Sequence, residues 1–178
     1  MRYANTHKED TRNKLLASSR AIAKRGGFTS TGVDALMGSI GLSGGAFYSH
    51  FPSKQALFEA IIDAEISNST DMLAGNEDSP DNHVAKCLRD YLSTFHAMNP
   101  DVGCVLPALG AEIARAGPEV RTTVERGLKR THKSWSERVD DPDAAWALIA
   151  QCVGAVMLAR AVESDKTRKE ILSASRGY

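Results

Sequence analysis

Apolar residues in this chain recur at separations of three and four over most of its length, and no useful stretch alternates apolar with polar residues. That period gathers side chains onto one stripe of an α-helix, whereas a strand needs a period of two. The pattern confines the chain to an all-α fold of about nine helices. Leu15, Leu16, Ile22 and Ala23 give a first helix its apolar face, Gly26-Gly27 stops it, and Phe28 is expected to plug the core. Thr31, three residues before Asp34, forms a helix-start signature related to the capping box, and Val33, Leu36, Met37 and Ile40 follow at helical spacing. Gly41 suits a left-handed turn, Leu42 is expected to pack beneath it, and Ser43 to cap a third helix ending near His50.

Pro52-Ser53 breaks and restarts the pattern, with Ser53 capping a long fourth helix through Leu57, Phe58, Ile61, Ile62 and Ile66. After a polar loop over 75–82, Val84, Leu88, Tyr91, Leu92 and Phe95 predict a fifth helix. A sixth is expected around 105–115, a seventh from Gly117-Pro118 to about Val139, an eighth over 144–162 and a ninth over 166–175. The stretch 144–159 is the most apolar, but Gln151 interrupts it and it falls short of the roughly 20 residues that span a bilayer, so a buried helix is expected and no membrane contact.

The formal net charge is zero across 178 residues, yet it is unevenly spread. Residues 1–54 hold eight lysines and arginines against three acidic residues, a net charge of +5, which leaves −5 for the remainder. A basic module that meets a polyanion, carried on an acidic body, fits that split. Cys87, Cys104 and Cys152 are odd in number and widely spaced, which suits neither a disulfide framework nor a Cys-x-x-Cys metal site. With no apolar run in residues 1–7, no secretory signal is expected, and the setting is expected to be a reducing cytoplasm.

Three short helices within the first 50 residues, with Gly41 between the second and third, satisfy the helix-turn-helix plan. The string Gly41-Leu42-Ser43-Gly44-Gly45-Ala46-Phe47-Tyr48-Ser49-His50-Phe51-Pro52-Ser53-Lys54-Gln55-Ala56-Leu57 resembles the recognition-helix signature of TetR/AcrR-family transcription regulators, and Gly26-Gly27-Phe28 and Thr31-Gly32-Val33-Asp34 have equivalents there. The resemblance covers about residues 8–66. It implies a three-helix helix-turn-helix DNA-binding domain over 8–66 and a helical effector-binding and dimerisation domain over 67–178. The implied function is that of a repressor that binds a palindromic operator in double-stranded DNA as a homodimer and is released by a small-molecule effector.

By the same resemblance, Tyr48, His50, Lys54 and Ser30 or Thr31 contact the DNA backbone. Ser43, Phe47 and Ser49 are candidates for base-edge or thymine-methyl contacts, Phe47 equally for the core. Gly44 departs from the family pattern, in which a polar or charged side chain commonly reads a base. Gly44 and Gly45 each cost a helix about 1 kcal/mol against alanine. Close approach of backbone to phosphate explains them, and a tight helix crossing explains Gly45 equally well. Ala46 and Phe51 are expected in the core; Arg2, Tyr3 and Lys8 are candidates for an arm reaching DNA.

An effector cavity is expected among the fifth to eighth helices, with Phe95, Met98, Leu106, Leu109, Trp135 and Trp146 as the large side chains available to line it. The small residues of the eighth helix, Ala145, Ala147, Ala150, Gly154 and Ala155, suit close helix packing, and by resemblance the seventh and eighth helices form the dimer interface. Cys104 adds a redox alternative. Gly103-Cys104-Val105-Leu106 and Glu112 resemble the matching segment of an electrophile-sensing repressor of the family, and a helix start would stabilise a thiolate there. The five histidines form no i, i+4 metal pair, and no nucleophile elbow, P-loop or dinucleotide fingerprint occurs, so neither metal, cofactor nor catalysis is expected. The remaining alternative is a helical interaction module without DNA binding.

Overall fold

The computed structural model describes residues 2–177, with side chains from Lys8 onward. Among the described residues it has nine α-helices, one 3-10 helix and no strand: α1 (Arg2–Gly26), α2 (Val33–Gly38), the 3-10 helix (Gly44–Ser49), α3 (Lys54–Ala74), α4 (His83–Tyr91), α5 (Thr94–Met98), α6 (Leu106–Ala114), α7 (Pro118–Val139), α8 (Pro142–Ala161) and α9 (Asp165–Arg176).

The helix ends follow local chemistry. Gly27 takes φ +86° and its amide donates to Ala23 at 2.8 Å, closing α1. Gly41 takes φ +76°, the left-handed turn between α2 and the 3-10 helix. Ser53 accepts from the Ala56 amide at 3.0 Å and Asp141 from the Asp143 and Ala144 amides, capping α3 and α8. At the other end of α3, the Leu73 carbonyl accepts from the Trp135 indole at 2.7 Å and the Ala74 carbonyl from the Ser134 hydroxyl at 2.5 Å. α7 thus satisfies carbonyls that the helix itself leaves open.

Several local expectations give way. Thr31 caps nothing: Gly32 is the N-cap of α2, and the Thr31 hydroxyl donates back to Gly27 at 2.8 Å. Ser43 occupies its expected N-cap position without a side-chain bond. Leu42 is exposed instead of tucked under the turn. The expected fifth helix breaks at Leu92 because Ser93 caps a new one, giving α4 and α5. Arg2 and Tyr3 belong to the backbone of α1, and their side chains lie outside the described residues.

Two buried clusters hold the molecule together. One joins Leu15, Leu36, Phe47, Phe51 and Leu57 to Val105, Leu109 and Ile113 of α6 and its approach; the other gathers Tyr91, Leu92, Cys104, Trp135, Cys152 and Leu172. The first reaches from the N-terminal module into the body, and the expected division near residue 66 falls inside α3. α3 and α7 cross so closely that a Cβ on Gly127 would sit 2.3 Å from Ile66 Cγ2. α8 departs from the buried helix expected. It is 20 residues long, enough by length and composition to cross a membrane, and only 28% of its most apolar window is buried within the chain. Trp146, Met157 and Leu158 face outward.

Candidate nucleic-acid interface and body cavity

The turn at Gly41 swings the chain so that α2 and the 3-10 helix pack against each other, while Phe47 and Phe51 are driven into the core. Phe47, one of the two readings open for that position, is fully buried, its ring near-parallel to Phe51 at 6.1 Å and edge-on to Tyr48 at 5.3 Å. It is an anchor and has no surface left for a base. Ala46 is half-buried beside it. The anchoring leaves Ser43, Gly45, Tyr48 and Ser49 on the outside, with Tyr48 67% exposed.

The flanks carry the other expected residues. Ser30 is exposed and Thr31 half-buried, their hydroxyls donating to carbonyls at the end of α1. His50 is half-buried, with Nδ1 buried and unpartnered among the described residues. Lys54 donates to the Thr29 carbonyl at 2.9 Å and lies 5.0 Å from the centre of the Phe28 ring. Thr29 is also gripped from α6, where the Glu112 carboxylate accepts from the amides of Phe28 and Thr29 and from the Thr29 hydroxyl at 2.6 Å.

The two glycines separate in role. A Cβ on Gly44 would meet Asp34 Oδ1 at 1.8 Å, so the small residue there answers the packing of α2. Gly45 has open space around it, which removes the tight-crossing explanation for that position. The charge split also needs correcting, since part of the basic excess points inward. Arg20 and Lys24 both bind Glu65, at 2.5 and 2.8 Å, and Arg25 faces Asp101 at 3.8 Å. Arg12, stacked over Phe51 at 4.5 Å, Lys8, Lys14 and Lys54 are not held by any carboxylate among the described residues.

The body contains a cavity of about 550 Å³, placed between α1, the second half of α3, α4 and the segment leading into α6. None of the six large side chains expected to line a cavity is in its wall, whereas Cys104, the redox candidate, is. Phe95 is 69% exposed, and Met98 and Trp146 also face solvent, Trp146 stacked on His132 at 4.2 Å. Trp135 is core, its indole committed to Leu73; Leu109 is core beside the N-terminal module, and Leu106 packs between the two clusters. Size alone nominated these side chains, and size selects for core as readily as for a cavity wall. Arg20, Lys24, Glu65 and Tyr91, which do line it, are marked by no motif. Glu65 alone leaves a trace in the sequence, as a carboxylate on the apolar stripe Leu57, Phe58, Ile61, Ile62, Ile66.

Burial favours the neutral forms of His96 and of the two cysteines in the cavity wall, Cys87 and Cys104. Desolvation by burial lowers His96; its Nδ1 donates to the Tyr91 carbonyl at 2.6 Å and its Nε2 accepts from the Cys104 amide at 2.8 Å, which fixes one neutral tautomer. Burial pushes the Cys104 thiol up, outweighing the opposing influence of the nearby Tyr91 hydroxyl, Leu106 amide and Ser69. The thiolate expected from its place before α6 is therefore not favoured. Burial also raises Cys87, and lifts Cys152 to about 12.

Residues 15–61 match the family described as bacterial regulatory proteins, tetR family. The chain is 26% identical over 130 residues to the HTH-type transcriptional repressor NemR of Escherichia coli K12, a match covering 70% of this chain and 65% of that relative's length. It is 40% identical over 57 residues to the transcriptional regulator UidR of the same strain, covering 32% of this chain and 29% of that one. The crystal structure of reduced E. coli NemR superposes with a TM-score of 0.77 at 22% identity, covering 94% of this chain and 95% of that one. A TetR transcriptional regulator from Chloroflexus aurantiacus superposes at 0.80, also at 22% identity, covering 97% and 96%. At such identities the superpositions establish the shared fold, and the family match covers residues 15–61: a helix-turn-helix module that matches the tetR family, set on a helical body of the same architecture as these structures.

Proposed function

We propose that the protein is a DNA-binding transcription regulator that acts as a homodimer on a palindromic operator, represses by occupying it, and is released by a small molecule bound in the body. The observation that carries the reading is the face formed by Ser43, Gly45, Tyr48, Ser49 and Lys54: polar groups and one aromatic, held outward by buried Phe47 and Phe51. Phosphate contacts from such a face set register, and groups at its centre read base edges. NemR is a transcriptional repressor, and the similarity to it supports that sign of regulation here.

The exposed apolar side of α8 supports the dimer, because Trp146, Met157 and Leu158 (60% exposed) form a face that a single chain leaves wet. Two-fold symmetry then places two recognition faces side by side and demands inverted half-sites. Small-molecule binding that moves α3, which leads directly from the recognition face into the body, changes their separation. A coupling of about 1–3 kcal/mol gives a 5- to 150-fold change in operator affinity.

Electrophile sensing through Cys104 is a second reading, favoured by the place of Cys104 in the cavity wall. Against it stands the burial that keeps the sulfur protonated. Selection of bound duplexes from a random pool by the purified protein tests the main reading. Enrichment of an inverted repeat supports it; no enrichment by folded, dimeric protein favours an interaction module without DNA binding.

A further inference from the structure

The cavity walls carry a charge pattern that the regulatory reading does not use. Two cations, Arg20 and Lys24 of α1, share one buried carboxylate, Glu65 of α3. Lys24 has three N–H donors and spends two, on Glu65 and on the Gly103 carbonyl at 3.0 Å. Arg20 bonds through Nε alone, so the outer fork of its guanidinium has no protein partner among the described residues. Asp90 and Asp101 stand in the same wall at its solvent side, and Asp101 already faces Arg25. Within the cluster itself, two cations meet one carboxylate.

A second observation points into the same space. Tyr91, in the wall, is buried, and its hydroxyl has no hydrogen-bond partner among the described residues; it lies beside the Cys104 sulfur without the geometry of a bond. A buried unpaired hydroxyl is costly unless something completes it. Much of the remaining wall is apolar, with Met72, Leu73 and Val102 among it.

We propose that this cavity binds a small organic carboxylate with an apolar body, its headgroup held by Arg20 and Lys24 and a further acceptor atom held by the Tyr91 hydroxyl. A carboxylate matches the planar fork of arginine and meets the second cation of the Glu65 cluster, which a neutral ligand does not. At the Arg20–Lys24 end a cationic ligand meets like charge, and an inorganic anion leaves the apolar wall uncovered. The volume suits a small organic molecule. Because Arg20 and Lys24 sit on the helix of the N-terminal module while Glu65 and Gly103 sit on its supports, an anion that draws the cations from Glu65 loosens the module from the body. Its service as the effector site rests on the regulatory reading above; the site itself does not.

Calorimetric titration of the DNA-free full chain with phenylacetate, 4-phenylbutyrate, octanoate and decanoate, each beside its primary amide, tests the site. At least one acid is expected to bind about tenfold or more tightly than its amide, and Arg20→Gln to abolish that preference. Tyr91→Phe is expected to weaken the acid about 3- to 10-fold while the melting temperature holds or rises, because it removes an unsatisfied group. Folded wild-type protein in which no acid exceeds its amide overturns the proposal, as does a preference that survives Arg20→Gln. Acid binding that leaves duplex affinity unchanged upholds the site and overturns its effector role. Acid binding by protein that selects no duplex upholds the site and overturns the regulatory reading.

Discussion

Thr29 gives both its amide hydrogen and its hydroxyl hydrogen to the Glu112 carboxylate, at 2.8 and 2.6 Å. Phe28 adds its own amide at 2.9 Å, and Lys54 holds the Thr29 carbonyl. One residue of the α1–α2 connection is thus gripped by the body through α6 and by the recognition face through α3. Glu112→Ala is expected to lower stability by about 1–2 kcal/mol, since charge-assisted bonds to a carboxylate are lost while some of the freed donors reach water. Chemical denaturation of the variant beside wild type measures it.

The same clasp gives a pH dependence. Desolvation is the largest single influence on Glu112 and raises it, but the bonds from Thr29 and Phe28 together hold its carboxyl below the ordinary 4.5. A carboxyl depressed in the folded state contributes fully above its unfolded value and loses that contribution as pH falls through the folded one. Wild-type stability is therefore expected to drop more steeply below about pH 4.5 than that of Glu112→Gln, whose side chain does not titrate. Melting temperatures at several pH values compare the two.

Gly45 separates two meanings of a glycine. With open space around it, Gly45→Ala is expected to keep the fold, with a gain of up to about 1 kcal/mol in local helix preference. If its backbone approaches DNA, the same change weakens duplex binding about tenfold, equivalent to ~1.4 kcal/mol. Gly44→Ala behaves differently and perturbs α2 even without DNA, because the new methyl displaces the Asp34 carboxylate. Circular dichroism and duplex titration on both variants distinguish the cases.

Gly127→Ala is expected to destabilise the chain by about 1–3 kcal/mol, the usual effect of overpacking a filled interface. The new methyl falls on Ile66 and Thr70, where α7 crosses α3. Thermal unfolding reads this directly.

The α8 face predicts assembly. Leu158→Glu places a charge on an apolar surface that is open in the single chain, so monomer folding is expected to survive while dimerisation is lost. Light scattering should then give half the wild-type mass.

The helix plan was readable from spacing because each helix buries a stripe, and stripes survive in sequence as threes and fours. What spacing could not show is which members of a stripe meet a cavity. Trp135 and Leu109 follow the same period as any wall residue, yet the indole of Trp135 is spent on a carbonyl of α3 and Leu109 closes the core of the module. The cavity is instead made by charged residues of α1 and α3 that sit 41 or 45 positions apart in the chain, a pairing that only tertiary packing creates. The recognition face was legible for the opposite reason, since its residues are consecutive. Even there the fate of Phe47 depended on the 3-10 geometry of the segment, which turns that ring inward and Tyr48 outward.

The most direct measurement is the affinity of the protein for its selected duplex at two salt concentrations, for wild type and for Tyr48→Ala combined with Lys54→Gln. Wild type is expected to bind tightly, with log affinity falling against log salt by about 0.9 for each phosphate neutralised. The double variant is expected to bind every duplex more weakly and to lose about 0.9 from that slope, while remaining folded at the temperature of the titration. Absence of wild-type binding, or an affinity and slope unchanged in a folded double variant, would contradict the assignment of this face to DNA.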